Sequence, residues 1–259
     1  MAGSIKIQTL AAVATVTISN PSRFNAMSRS MWRDLQSIFQ QVQRDESVRA
    51  VVIVGQGHFC AGGDISEYAG FRFQEDSLRD FHEDDVWGGL QAVLDCDVPI
   101  IAMIDGNCMG AGVEIASCCD IRIASDRARF GAPIAKLGFP MAPREAALVN
   151  RALGELTARE MLLSAAVLDA NEMKQRGFLN QVVSTDLLDS VVLACAERIC
   201  TLAPRAGRLN KQALRAIAHV DIGRAATILV ASAYQYADSP EHREGVSAFN
   251  EKRPPRFPS

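Results

Sequence analysis

The hydrophobic positions of this chain change period several times, and each change marks an element. Residues 5–18 alternate, most clearly over Val13-Ala-Thr-Val-Thr-Ile, and predict two strands of a hairpin or meander that Asn20-Pro21 ends with a turn. After Ser28, whose hydroxyl suits an N-cap, Met31, Leu35, Ile38, Phe39 and Val42 recur at helical spacing. Residues 50–54 and 99–104 are continuous apolar runs rich in β-branched side chains, the pattern of strands buried on both faces of a parallel sheet. Leu78, Phe81, Val86, Leu90, Val93 and Leu94 predict a second helix, with Gly88-Gly89 as a weak point, and residues 110–119 a third. The polar stretch 66–76, ahead of the second helix, reads as a mobile segment that shapes a ligand site.

Residues 120–125 and 128–131 read as two more strands, so that strand-strand-helix units recur and suggest a spiral of such turns. Beyond Pro140 the pattern becomes mainly helical. Thr157-Ala-Arg-Glu160 and Asp169-Ala-Asn-Glu172 have the form of capping boxes, residues 177–183 return to strand, and helices are expected over 188–200, 206–219 and 222–236. A last helix carrying Gly245, Phe249 and Lys252 precedes a Pro-rich tail.

Two loops follow the buried strands: Gly57-His-Phe-Cys-Ala-Gly-Gly-Asp64 and Asp105-Gly-Asn-Cys-Met-Gly-Ala-Gly-Val-Glu114. Small residues there let a ligand approach the backbone, and the N–H groups that open the following helix point outward with the positive end of its dipole. Two such donors aimed at one point make an oxyanion hole. Glu114 falls in the first turn of that helix. It is either a carboxyl that moves protons in a closed pocket, where desolvation raises its pKa, or a helix-start glutamate that meets free backbone N–H groups.

The Phe-Cys-Ala-Gly-Gly-Asp-Ile stretch, and then Gly-Asn-Cys-Met-Gly-Ala-Gly-Val-Glu-Ile-Ala with Cys-Cys-Asp behind it, resemble the enoyl-CoA hydratase/isomerase (crotonase) superfamily. The likeness runs from Asn20-Pro-Ser-Arg-Phe-Asn-Ala-Met27 to Glu244-Gly-Val-Ser-Ala-Phe-Asn-Glu-Lys-Arg253. It implies an α/β fold, a crotonase-like right-handed spiral of ββα repeats with a C-terminal α-helical region. The corresponding division is a core over residues 1–195 and a helical trimerisation region over 196–259, giving a homotrimer or a dimer of trimers.

By the same resemblance, the N–H groups of Ala61 and Ala111 form the hole for a thioester enolate, and Glu114 is the acid–base group. Arg23 holds the CoA phosphates and Lys252, or Arg253, reaches the nucleotide from the C-terminal helix, while Asp64 and Ile65 line the adenine and pantetheine path. The superfamily's second glutamate follows the Pro of Phe130-Gly-Ala-Pro-Ile, where this chain has Ile134. Hydration is best served by two proton-handling groups, whereas moving a double bond needs one. The resemblance therefore implies an acyl-CoA enzyme with isomerase-like or diverged hydratase chemistry, and Glu145 is a candidate replacement carboxylate. A CoA-ester binder without turnover is the other reading.

Composition narrows the rest. A net charge of -3 supplies no basic field for nucleic acid or an anionic membrane, and no apolar run approaches the ~20 residues of a membrane span. The N-terminus lacks a charged-then-apolar signal pattern, so a soluble cytoplasmic enzyme is the expectation. The seven cysteines have no paired C-x-x-C spacing and sit mostly among apolar residues, as buried thiols rather than disulfides or zinc ligands. The four histidines form no ligand spacing, and no nucleotide-binding Gly-rich loop or Ser-His nucleophile pattern occurs. No metal and no cofactor beyond the CoA of the substrate is expected.

Overall fold

The computed structural model describes residues 3–71 and 75–217, together with 240, 244, 251, 253 and 256. The expected helices over 222–236 and around Lys252 lie outside them.

The alternating N-terminal segment forms β1 (Ser4–Leu10) and β2 (Val13–Ser19), paired antiparallel. Helix α1 (Arg29–Arg44) begins where Ser28 Oγ accepts the Met31 N–H at 3.3 Å, and its apolar stripe buries Met31, Trp32, Leu35, Phe39 and Val42. Each such side chain contributes roughly 1.5–3 kcal/mol on leaving water, so this one face fixes the helix against the sheet. The buried run then gives β3 (Ala50–Gly55).

Next come α2 (Glu75–Asp80), a π-helical turn (Phe81–Val86) and α3 (Trp87–Asp95), which run on without a break. Both Gly88 and Gly89 fall inside α3, and a Cβ on Gly89 would lie 3.0 Å from the Trp32 carbonyl. The pair that weakens the helix by propensity is what lets α3 lie close on α1. Within the stretch after Asp64, residues 65–70 form a 3₁₀ helix capped by Asp64, which accepts from Ser66 N and Oγ at 3.1 and 2.6 Å.

Strand β4 (Ile100–Ile104) is followed by the short β5 (Asn107–Met109), α4 (Ala111–Cys118), β6 (Ile121–Ser125) and β7 (Arg129–Gly131). Helices α5 (Pro143–Leu153) and α6 (Glu155–Leu163), β8 (Val167–Asp169), α7 (Ala170–Gln175), β9 (Gln181–Val183), α8 (Leu188–Cys200) and α9 (Pro204–Ile217) complete the described part. Asp169 and Glu172 close a reciprocal capping box, each bond 2.9 Å. Thr157 does not cap anything: it is buried inside α6, which starts after Gly154.

Six strands form one sheet in the order β1-β2-β3-β4-β6-β9, parallel from β2 onward. A second sheet, β5-β7-β8, is built from the loop ends of the first. The main core lies between the large sheet and α1, α3 and α4, while a smaller cluster joins its other face to α8 through Leu188, Val192, Cys195 and Ala196. The expected division between residues 195 and 196 therefore falls inside one helix that covers the sheet. Helix α9 is tied on by polar contacts, with Arg215 and Gln212 on Asp97 and Lys211 on Asp120, each at 2.7 Å. No helix among the described residues is long and apolar enough to cross a membrane.

Candidate active site

The two loops pack on each other. Cys60 N–H donates to Asn107 O at 2.9 Å, Met109 N–H to Cys60 O at 2.8 Å, and His58 Nδ1 accepts the Asn107 N–H at 3.0 Å. His58 is thus a brace between the loops. Gly112 sits so close beneath that a Cβ on it would lie 2.6 Å from the Cys60 carbonyl oxygen. All seven thiols are free and six of them are buried; burial pushes Cys60 and Cys119 up to about 12.

The first expected hole donor has to be corrected. The Ala61 N–H is spent on the Phe24 carbonyl at 3.0 Å. Two residues on, Met27 N–H donates to Gly62 O and Asp64 N–H to Met27 O, both at 2.8 Å. A residue flanked by such a parallel bridge turns its own N–H to the opposite edge, and here that residue is Gly63. The switch of edge between Ala61 and Gly63 is made at Gly62, whose φ of 115° only glycine adopts readily. Gly63 N–H has no hydrogen-bond acceptor among the described residues. Neither has Ala111 N–H, because it opens α4 and its would-be predecessor bonds elsewhere: Gly110 N–H donates to Gly131 O at 2.8 Å.

Gly63, Ala111 and Glu114 border one cavity of about 360 Å3. Its remaining wall is largely apolar, with Trp32, Ile65, Tyr68, Phe81, Ile134, Phe139 and Met141 among the lining residues. Glu114 accepts no hydrogen bond among the described residues, and its carboxyl is pushed up to about 8, first by burial and second by the charge of Glu145. At neutral pH it holds its proton. Arg122 steadies the far end of α4, donating to Ala116 O at 3.2 Å and Cys119 O at 2.6 Å.

The other sequence candidates scatter. Glu145 lies in the first turn of α5, 2% exposed, and its Oε1 bonds His82 Nδ1 at 3.0 Å. His82, which no spacing singled out, lines the cavity itself. Arg23 is half-exposed and is not among the residues that line the cavity; its Nε lies 3.3 Å from Asp64 Oδ2. The Asp64 carboxylate is engaged by Arg23 and Ser66, while Ile65 is exposed and reaches the cavity. Lys252 lies outside the described residues, and Arg253 pairs with Glu244 and Glu251. Among the described residues no His, Cys, Asp and Glu cluster could hold a metal ion.

Fold and cavity together define an α/β protein whose strand-end loops present unpaired main-chain donors and a protonated carboxyl to an apolar ligand space. Residues 8–259 match the enoyl-CoA hydratase/isomerase family, and the chain belongs to it. It is 31% identical over 243 residues to the short-chain-enoyl-CoA hydratase of Clostridium acetobutylicum, covering 93% of this chain and 92% of that one. Its fold superposes on an enoyl-CoA hydratase/carnithine racemase from Magnetospirillum magneticum with a TM-score of 0.93 at 34% identity, over 98% of this chain and 95% of the other. An enoyl-CoA hydratase from Bacillus anthracis gives 0.90 at 27% identity, with 98% of each chain covered. The crotonase-like spiral implied by the motifs is thus the fold.

Proposed function

We propose that this chain binds an acyl-CoA thioester and works on it through an enolate, with Gly63 and Ala111 N–H groups holding the thioester oxygen and Glu114 moving the α-proton. The observation that carries this reading is a carboxyl raised to about 8 in the same cavity as two unpaired amides. Charge that develops on the carbonyl oxygen meets donors already in place, and each such donor is typically worth ~3 kcal/mol in an acyl-transfer or enolate transition state. A proton leaving Cα then needs only a nearby carboxylate of matched basicity.

The exposed guanidinium of Arg23, beside Asp64, supports a role for it in meeting the CoA phosphates. Ile134 in the wall can neither activate water nor return a proton, so Glu114 acting alone suits double-bond isomerisation or another one-base enolate reaction. Family membership and relatives named as enoyl-CoA hydratases support an acyl-CoA ligand; a homotrimer or dimer of trimers rests on the resemblance.

Incubation with crotonyl-CoA and with a 3-enoyl-CoA tests the reading. We expect conversion of at least one, and a fall of about 1,000-fold in Glu114→Gln with CoA-ester affinity retained. Unchanged turnover in that variant, or binding of both esters with no conversion, would overturn it.

A further inference from the structure

We propose that His82, positioned by Glu145, is a second acid–base group of this cavity, taking the proton of a water molecule that adds across an enoyl thioester double bond. The inference rests on the enolate reading above and adds the group which that reading lacks.

His82 and Glu114 line the same cavity, and Ile134 shares it. Behind His82, Glu145 is 2% exposed and bonds Nδ1 at 3.0 Å. In the tautomer that carries its proton on Nδ1, His82 donates to Glu145 Oε1 and presents Nε2 as the basic nitrogen. That is the arrangement in which a carboxylate orients an imidazole and stabilises its charged form as it takes a proton.

The backbone around His82 is equally specific. It occupies a π-helical turn, Phe81–Val86, inserted between α2 and α3, a rare conformation that occurs frequently at functional sites. The turn is pinned on several sides. Arg29 and Arg33 hold Asp85 at 2.7 and 2.6 Å, Arg144 pairs with Glu83 at 3.1 Å, and Phe81 is buried against Phe71 with ring centroids 4.6 Å apart. Neighbouring residues of the turn, His82 and Glu83, therefore meet neighbouring residues of α5, Glu145 and Arg144.

In the step, the water oxygen bonds C3 and its proton passes to His82 Nε2. The C2–C3 π pair shifts to C1–C2 as the carbonyl π pair moves onto the thioester oxygen held by the amides; the carbonyl then re-forms as the C1–C2 pair bonds C2 to the proton of Glu114. Solvent returns the proton from His82 to Glu114, so the net change is the addition of one water.

Two reactions on the full-length protein separate this role from structure. Hydration of crotonyl-CoA needs both groups, whereas exchange of the α-hydrogens of butyryl-CoA with deuterium oxide needs Glu114 and the amides without water addition. We expect His82→Gln to lower hydration by about 100-fold or more and exchange by less than about 5-fold. Glu145→Gln should lower kcat for hydration with KM little changed, and imidazole should restore part of the hydration lost in His82→Ala. Equal loss of both reactions in His82→Gln, or full hydration by it, would overturn the proposal. So would wild-type protein that exchanges without hydrating, which would leave the enolate reading intact; wild-type protein that does neither would remove that reading as well.

Discussion

The cavity has two unlike walls. One is main chain: the loop from Cys60 to Asp64 and the start of α4, where Gly63 and Ala111 offer N–H groups fixed by the strands and by the loop-to-loop bonds behind them. The other is side chain: Glu114, His82 and, behind it, Glu145, drawn from α4, the π-helical turn and α5. The first wall owes its geometry to steric closeness and depends on what is absent, namely Cβ atoms. The second owes its properties to burial and charge, and depends on what is present. Changes to the two should therefore fail differently, the first through folding and position together, the second through chemistry with the fold kept.

Gly112→Ala should have the largest effect on stability. Its Cβ would lie 2.6 Å from the Cys60 carbonyl oxygen, and backbone cannot swing aside as a side-chain end can. We expect a loss of ~3 kcal/mol, read from the denaturant midpoint, and loss of activity with it because the Ala111 N–H and Glu114 shift together. Gly70→Ala is the matched control, since nothing lies within 4 Å of its added Cβ. A Gly112→Ala protein with the wild-type midpoint would break the distinction between the walls.

The side-chain wall carries a pH signature. Glu114 is raised from 4.5 to about 8 in the folded state, so between those values the folded chain keeps a proton that the unfolded chain has lost. Stability must then fall as pH rises through that window. Glu114→Gln removes this slope. We expect the variant to match the wild type near pH 5 and to be more stable by ~2 kcal/mol near pH 9, a value set below the full linkage energy because the carboxyl opens onto a cavity that admits water. Thermal melts at the two pH values check this, and a constant difference between variant and wild type would mean that burial does not hold the proton.

The two walls were unequally legible in the sequence. The parallel strands showed as unbroken apolar runs, the stripe of Met31, Leu35 and Phe39 showed α1, and the small residues of both loops marked the main-chain wall. Which amide in the first loop stays unpaired was not legible. It turns on the bond from Ala61 to Phe24 and on the φ of Gly62, and neither has a local pattern. Strand β5 was read as loop, since three residues acquire strand geometry only by pairing with β7. Thr157 shows the opposite failure, a capping-box spelling that lies inside a helix because Gly154 ends α5 earlier. His82 and Glu145 are 63 positions apart, so their 3.0 Å bond exists only after folding. A histidine beside a buried Phe81 on a helical stripe carried no other signal.

Arg23→Ala gives the smallest effect and sharpens the comparison from outside both walls. Its Nε lies 3.3 Å from Asp64, but the side chain is 49% exposed, and solvent-exposed pairs of this kind are worth about 0.2–1 kcal/mol. Asp64 also keeps its bonds to Ser66, so the 3₁₀ helix cap survives the change. Stability should therefore fall by less than ~1 kcal/mol. If the guanidinium meets CoA phosphates, KM for a CoA ester should rise about 5-fold, the equivalent of ~1 kcal/mol. The same acyl group on a truncated thioester without the nucleotide should show no change in kcat/KM, because nothing it touches has been altered. Equal losses with both esters would place Arg23 in the support of the loop that carries Gly63, and would make it part of the main-chain wall.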